Sequence, residues 1–307
     1  MSSCIAELLA SAGRQYVRYG PGSLGKSWLA AECLNPYLRE RPRRCMARTR
    51  FGADIAVDTQ DLIQRYIYMF GAWEPPMTYW LSQRLGPGDT FVDVGANIGY
   101  FSLLAARRVG PAGRVVAIEA SPVFHRRVLA NARRNACRNV RAVNVAVSDV
   151  RRSVRFTLAS SRNMGANSIV PYDGPVESCF EAQALPLTEV LTASEVAGAR
   201  VIKVDVEGAE GSVVRGMVPL LDRLRSDAEI TVEVAPERMA LLGDSADELL
   251  ATMRHFGFHA YRQPNDYAAE SYPAALRSAG APLARVRGPL VEEGDLVFSH
   301  VDADVLP

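Results

Sequence analysis

Thr90-Phe91-Val92-Asp93-Val94-Gly95-Ala96-Asn97-Ile98-Gly99-Tyr100-Phe101-Ser102 is the stretch whose reading decides the fold. The apolar, largely β-branched run Phe91–Val94 predicts a strand buried on both faces, as strands of parallel sheets are. Gly95 and Gly99 predict a tight turn whose backbone a ligand can approach closely. Tyr100–Val109 then predicts a helix stopped by Gly110-Pro111.

The same alternation continues outward. Arg114–Glu119 reads as a second strand, ending in an acid about twenty residues beyond the glycines. Ser121-Pro122 gives an N-cap and a first-turn proline for a helix through Asn135. Val140–Val147 reads as a third strand closed by Ser148-Asp149, Val201–Val206 as a fourth and Ile230–Val234 as a fifth, with a helix from Ala209 to Leu221 between the last two. Strands and helices in this order predict a doubly wound α/β sheet, whose ligands bind beyond the carboxyl ends of the strands.

The charge of the first turn bears on the ligand. A dinucleotide needs G-x-G-x-x-G to seat its pyrophosphate on a helix N-terminus, whereas this turn is G-x-x-x-G with Asp93 at the strand end. A carboxylate repels phosphate and attracts a cation, and S-adenosylmethionine carries two, the sulfonium and the amino group. Glu119 stands where a carboxylate takes both ribose hydroxyls. Ser148 or Asp149 stands where a side chain reaches an adenine edge, although a plain Ser-Asp turn reads as well there. Trp73-Glu74-Pro75-Pro76 sets an acid beside an aromatic, which suits either a site residue or a helix-opening turn.

Chemistry concentrates again in Val201-Ile202-Lys203-Val204-Asp205-Val206-Glu207-Gly208-Ala209-Glu210. Strand alternation sends Lys203 and Asp205 to one side, with Glu207 continuing the parity. Buried polar groups are costly unless paired, so Lys203 is expected to pair with Asp205 or a neighbouring acid. Glu233 falls beside Asp205 if the fourth and fifth strands are neighbours. Asp205, Glu207 and Glu233 are the candidate general bases, with Lys203 tuning them. Acids at these strand ends also allow a Mg2+ site through oxygen ligands. With no third ligand evident, metal-free chemistry is favoured and no metal ligand is assigned.

Composition excludes other classes. At 307 residues, 48% hydrophobic and net charge +1, the chain reads as one large globular domain with additions and not as a binder of nucleic acid. Of 35 basic residues only Lys26 and Lys203 are lysines, so the cluster Arg39, Arg41, Arg43, Arg44, Arg48, Arg50 reads as a solvated face of an arginine-biased chain. Five cysteines without a C-x-x-C pair indicate neither a disulfide framework nor a zinc site. With no signal-peptide pattern and no membrane-length apolar run, a cytoplasmic protein without membrane partners is expected.

Gly20-Pro21-Gly22-Ser23-Leu24-Gly25-Lys26-Ser27 matches G-x-x-x-x-G-K-[ST], with Tyr16–Tyr19 as a candidate preceding strand. No strand ending in a metal-binding Asp follows soon after, so a Gly-rich loop is favoured and a P-loop nucleotide-binding module is the alternative of another class. Residues 1–80 are expected to form a mostly helical extension suited to acceptor or dimer contacts, and 81–307 the cofactor domain. The polar loop Arg162–Ser168 is a candidate acceptor contact, and the proline-dotted segment Pro264–Pro289 a lid or a surface excursion.

Taken together, Trp73-Glu74-Pro75, the stretch Asp93–Ser102, Glu119 with Ser121-Pro122, Val147-Ser148-Asp149, the stretch Ile202–Glu210 and Glu233-Val234 resemble the FkbM-type family of S-adenosylmethionine-dependent methyltransferases from about Phe51 through Pro236. The resemblance implies a Rossmann-like class I methyltransferase domain, a seven-stranded, mostly parallel sheet with an antiparallel last strand and helices on both faces. It implies Asp93, Gly95, Asn97 and Gly99 around the methionine part of the donor, with Glu74, Tyr100 and Phe101 beside them, Glu119 at the ribose and Ser148-Asp149 near adenine. S-adenosylmethionine enters and S-adenosylhomocysteine leaves. The implied acceptor is a hydroxyl or amine of a glycoside, an aminoglycoside or a polyketide, as in antibiotic biosynthesis, and a homodimer is compatible with it.

Overall fold

Thr90–Val94 (β1) is a strand with every residue buried, and it lies inside one large sheet. The computed structural model describes residues 2–158, 167–168, 170, 178–278 and 280–306. The other strands of this sheet are Arg114–Ile118 (β2), Val140–Val143 (β3), Ala199–Val204 (β4), Glu229–Val234 (β5), His259–Gln263 (β6), Leu283–Arg285 (β7), Gly294–Ser299 (β8) and Val305–Leu306 (β9). Their spatial order is β9-β7-β6-β8-β5-β4-β1-β2-β3. Strands β3, β2, β1, β4 and β5 run parallel, while β8 is antiparallel to both β5 and β6.

The sheet therefore has nine strands where seven were expected. The two additions, β7 and β9, are three and two residues long and pair with each other at the edge. Strands that short carry no readable alternation. The third strand is also shorter than Val140–Val147. Asn144 Nδ2 donates to the carbonyls of Glu119 and Ala120 at 2.8 and 2.9 Å and so draws the chain out of the sheet. Ala146–Val147 then pairs with Ser178–Leu185 in a separate small sheet with Arg152–Leu158 and Asn167–Ser168.

Alternation divides each central strand between two layers. Val92, Val94, Ile202, Val204, Ile230 and Val232 pack with Val213, Val214 and Met217 of the helix Glu210–Leu221 and with Leu249, Leu250 and Met253 of Ala246–His255. On the other face Ala117 packs with Val128 of the helix Pro122–Arg134. The chain leaves β1 toward β2 and β3 on one side and returns to β4 on the other. The order reverses between β1 and β4, and the crevice outside such a switch point is where sheets of this kind bind ligands.

The chain divides into two compact units, with the boundary at Tyr79/Trp80 inside the helix Pro75–Arg84. The larger holds both sheets described above. The smaller takes in residues up to Tyr79 together with Asn265–Gly280. Its elements are the helix Ser2–Tyr19, the helical run from Lys26 to Glu40, the hairpin Arg44–Arg48 with Asp54–Asp58, and the helix Leu62–Phe70. Asp61 caps the last of these by accepting from Gln64 N, and Gly71 ends it at φ 75°.

Tyr16–Tyr19 is thus helical, which corrects its reading as a strand. The Lys26 ammonium turns back to the Gly20 carbonyl and is buried. A phosphate-binding loop needs a strand before it and a lysine free to meet phosphate, so the nucleotide-binding alternative loses its structural context. In the arginine cluster, Arg44 and Arg48 lie on the hairpin and pair with Asp58 and Asp54. The segment Pro264–Pro289 holds a helical turn, Tyr272–Ala275, and strand β7. Positions 162–166 of the expected acceptor loop lie outside the described residues. Among the described residues, no helix is long and apolar enough to cross a membrane.

Candidate active site

Register places a polar row across the centre of the sheet. Lys203 of β4 lies opposite Asp93 of β1 and Thr231 of β5, and Asp93 lies opposite Ala117 of β2. Asp93 is 1% exposed and Lys203 4%, so both charges must be met inside the protein. Ser102 Oγ, from the first helix after β1, donates to Asp93 Oδ2 at 2.5 Å. Burial raises the Asp93 carboxyl above its ordinary range, with Lys203 and Ser102 pulling against it. The Lys203 ammonium lies 2.6 Å from Asp205 Oδ2 and 5.0 Å from the centre of the Phe101 ring.

Just past β4, Asp205 N donates to the Val94 carbonyl at 3.0 Å, which holds the ends of β1 and β4 together. This contact gives Gly95 its main reason. At φ 86°, a Cβ there would stand 1.8 Å from the Asp205 carbonyl oxygen. Gly95 thus admits the neighbouring backbone.

Three carboxylates converge at this end of the sheet. Single oxygens of Asp205, Glu207 and Glu233 lie within 4.8 Å of one another, a spacing at which one divalent cation can be held. Glu207 thus stands as a third carboxylate beside the acids that end β4 and β5. Burial tends to raise Asp205, but Lys203 and a hydrogen bond from Glu233 hold it below the usual carboxylate range. Glu233 is pushed well above that range by burial and by the Asp205 charge. Its partner across the ladder is Asp295, another acid, which adds to the push. The hydrogen bond between the two carboxyls favours the proton on Glu233 over Asp205. Glu207 is raised to about 7 by burial and by Asp205, with Arg238 opposing.

The glycine turn is fastened from the other side by Glu119. Its Oε2 accepts from Asn97 N at 2.7 Å and its Oε1 from Ser121 N at 2.8 Å. Burial still raises this carboxyl to about 7, the two amides lowering it. Asn97 (φ 52°) and Gly99 (φ 86°) both take left-handed backbone here. Gly99 precedes the helix that carries Tyr100 and Phe101, whose rings meet edge to face at 5.2 Å.

The remaining sequence candidates have other partners. Ser148 is buried and its hydroxyl meets Asp149 Oδ1 at 3.0 Å. Asp149 Oδ2 accepts from Arg215 Nε at 3.0 Å, at the edge of a cleft of about 330 Å³ that Asp244 also lines. Glu74 belongs to the smaller unit, at φ 41°, where its carboxylate accepts from the Tyr267 hydroxyl at 3.2 Å and Trp73 stacks on Tyr267 at 5.3 Å. The structure thus gathers Asp93, Phe101, Lys203, Asp205, Glu207 and Glu233 at the ends of β1, β4 and β5, with Glu119 bracing the turn.

Sequence reasoning missed Ser102, Arg238 and Glu210. Glu210 is fully buried, accepts from Gly208 N at 2.8 Å and is raised to about 7 by burial. Ser102 stands three residues after Gly99, one helical turn into the site, which is a readable signal. Arg238 was hidden by the abundance of arginine.

No curated protein matches the chain. Among solved structures it is similar to a methyltransferase FkbM from Methylobacillus flagellatus, with a TM-score of 0.44 and 15% identity, covering 77% of this chain and 52% of that one. It is similar to fibrillarin from Aeropyrum pernix bound to S-adenosyl-L-methionine, with a TM-score of 0.41, 13% identity and 83% and 81% coverage. It is also similar to TYW2 from M. jannaschii in complex with AdoMet, with a TM-score of 0.40, 12% identity and 83% and 84% coverage. The chain spans about half the length of the FkbM methyltransferase it matches. The family model described as methyltransferase FkbM domain matches residues 93–260, from the acid of β1 to the second residue of β6. Since that match takes in more than half of the 307 residues and carries the whole carboxylate cluster of β1, β4 and β5, the chain belongs to the FkbM family of methyltransferase domains.

Proposed function

We propose that the chain transfers a methyl group from S-adenosylmethionine to a hydroxyl oxygen or amine nitrogen of a small acceptor, releasing S-adenosylhomocysteine. The observation that carries this reading is the carboxylate cluster at the switch point of a sheet whose family is that of FkbM methyltransferase domains. The donor's cationic methionine part suits the acid-rich end of β1, and Glu119 keeps lone pairs for ribose hydroxyls beyond the two amides it already accepts.

Methyl transfer is an in-line displacement. The bond from carbon to sulfur breaks as the bond from carbon to oxygen or nitrogen forms, and the acceptor's proton passes to a base. Holding the reactants in line supplies much of the rate. Of the three carboxylates, Asp205 is tied to Lys203 and held low, Glu233 is pushed well above the usual carboxylate range by burial and by Asp205, and Glu207 is raised to about 7. Glu207 is the base in this reading, since a base works best with a pKa near the operating pH. The acceptor is a glycoside, an aminoglycoside or a polyketide, on the strength of the family resemblance.

Titration with S-adenosylmethionine and S-adenosylhomocysteine tests the donor. Binding of neither would end the methyltransferase reading. Labelled donor and a mass-shift screen over glycosides, aminoglycosides and polyketides test the acceptor. A second reading, with Mg2+ held by Asp205, Glu207 and Glu233, is favoured by their spacing. Turnover that survives EDTA is the expected result, and loss restored by Mg2+ would establish the metal-assisted form instead.

A further inference from the structure

The turns that lead into β2 and β3 meet at the end of the sheet away from Glu119. One is residues 110–113, after the helix Tyr100–Val109, and the other residues 135–139, after the helix Pro122–Arg134. Asn139 joins them, its Nδ2 donating to the carbonyls of Ala106 and Gly110 at 2.9 and 2.8 Å. Both turns line a cleft of about 740 Å³, within the size range of small-molecule sites. Arg107, Arg114, Arg138 and Arg141 line it, and among the described residues no acid does.

Arginine is too common in this chain to mark a site by itself, and elsewhere acids match it, as Asp58 does Arg44, Asp54 does Arg48, and Asp149 and Asp244 do Arg215. The cleft differs in setting four guanidiniums on one concave wall. Glu195, 1% exposed, holds Arg141 in a fork, with Nε at 2.9 Å and Nη2 at 2.7 Å, and stands 3.8 Å from Arg114. Arg138 is exposed and forms no ion pair among the described residues. The carbonyl ends of the two helices add about half a negative charge each, so with Glu195 they offset about two of the four cations. The cleft stays positive.

We propose that this cleft binds a small polyphosphate, free or as the tail of a nucleotide. A carboxylate engages one guanidinium fork, whereas a phosphate chain presents oxygens on all sides and engages several. Arg141 is already fixed by Glu195, so less freedom is lost when it meets a ligand. Arg114 opens β2 and Glu119 follows its far end, roughly 16 Å along the strand, so the cleft is separate from the donor crevice. The proposal is therefore independent of the methyl-transfer reading. Cys137, half-buried in the lining near the Arg107 charge, supplies a reporter.

The full chain is titrated calorimetrically with tripolyphosphate in metal-free buffer at low salt. One saturable site per chain is expected, weakened as sodium chloride is raised and unchanged by saturating S-adenosylhomocysteine. R114Q/R138Q is expected to lose about tenfold or more in affinity, as removal of charged hydrogen bonds does, while R44Q/R48Q, which takes the same charge from the hairpin, keeps the parent value. In the parent chain, tripolyphosphate should slow modification of Cys137 by N-ethylmaleimide, read by peptide mass spectrometry, and leave the exposed Cys179 unchanged. The same titration with ATP, with S-adenosylhomocysteine present, separates the two sources. A higher affinity for ATP than for tripolyphosphate assigns a nucleotide, and an equal or lower one assigns the bare phosphate chain. Absence of saturable tripolyphosphate binding, its displacement by S-adenosylhomocysteine, or equal losses in the two double variants would overturn the proposal. Protection of Cys137, or its absence at saturation, decides the matter if R114Q/R138Q fails to fold.

Discussion

Asp93, Asp205, Glu207 and Glu233 gather around the Lys203 ammonium and the Arg238 guanidinium. Burial and the mutual repulsion of these acids raise Glu233 well above the usual carboxylate range and Glu207 to about 7. Two consequences belong to single residues. Glu207→Gln keeps the shape and removes the proton acceptor, so turnover is expected to fall about 10²- to 10⁴-fold. S-adenosylhomocysteine affinity by titration calorimetry should stay close to the parent's. Lys203→Met has a different effect, because it leaves Asp205 and Asp93 without their cation. Breaking a buried pair from one side costs about 3–5 kcal/mol, and part of that is expected back in Lys203→Met/Asp205→Asn, with both measured by urea unfolding. A double variant no more stable than the single one would show that the pair is not the source of the loss.

Among elements, the turn after β1 separates two glycines that look alike in sequence. Gly95 and Gly99 share φ 86°, yet a Cβ at Gly95 would meet the Asp205 carbonyl at 1.8 Å while one at Gly99 would find Val128 at an ordinary 3.5 Å. Gly99→Ala is expected to cost only the backbone strain of a left-handed residue, about 1–2 kcal/mol. Gly95→Ala must also push β1 from β4, so its unfolding midpoint should fall further and donor affinity should fall with it. Equal losses would show that the β1–β4 contact is not what requires glycine. The unit of strand, turn and helix was legible in the sequence because burial, turn residues and capping agree there, as they do again at Ser121-Pro122. What was not legible depended on single side chains acting at a distance. Asn144 ends β3 by reaching two carbonyls, and an asparagine in an apolar run does not announce that. The apparent phosphate loop failed for the converse reason, since its eight letters match but a helix stands where a strand was needed. Glu207 was legible as an acid on the correct parity. Its left-handed bend and its bridge to Arg238 were not, because both arise from segments some thirty residues apart in a chain where arginine is too common to signal anything.

For the whole molecule, the raised acids make a statement about stability. Glu119, Glu207 and Glu210 are each lifted from an ordinary 4.5 to about 7, chiefly by burial. Between those two values the unfolded chain has released these protons and the folded chain still holds them. The folded state therefore binds more protons, and stability falls as pH rises through that window. Asp93 and Glu233, also raised, add in the same direction. Asp205, Asp149 and Glu195 are lowered and act with the opposite sign, but only toward acid pH, near and below the ordinary carboxylate range. The ligand-free chain is accordingly expected to unfold at a lower temperature at pH 7.5 than at pH 5.5, with the slope reduced in Glu119→Gln and Glu207→Gln. A ligand that binds only the folded state raises stability by about 2.7 kcal/mol at a hundredfold excess over its Kd. If that ligand is a cation seated against these acids, its affinity should rise over the same pH range in which the empty protein weakens. Scanning calorimetry from pH 5.5 to 7.5, with and without S-adenosylmethionine, reads both trends at once. A flat profile without ligand would mean that Glu119, Glu207 and Glu210 titrate as ordinary surface carboxylates. A falling profile that the donor does not offset would locate its cationic end away from this cluster.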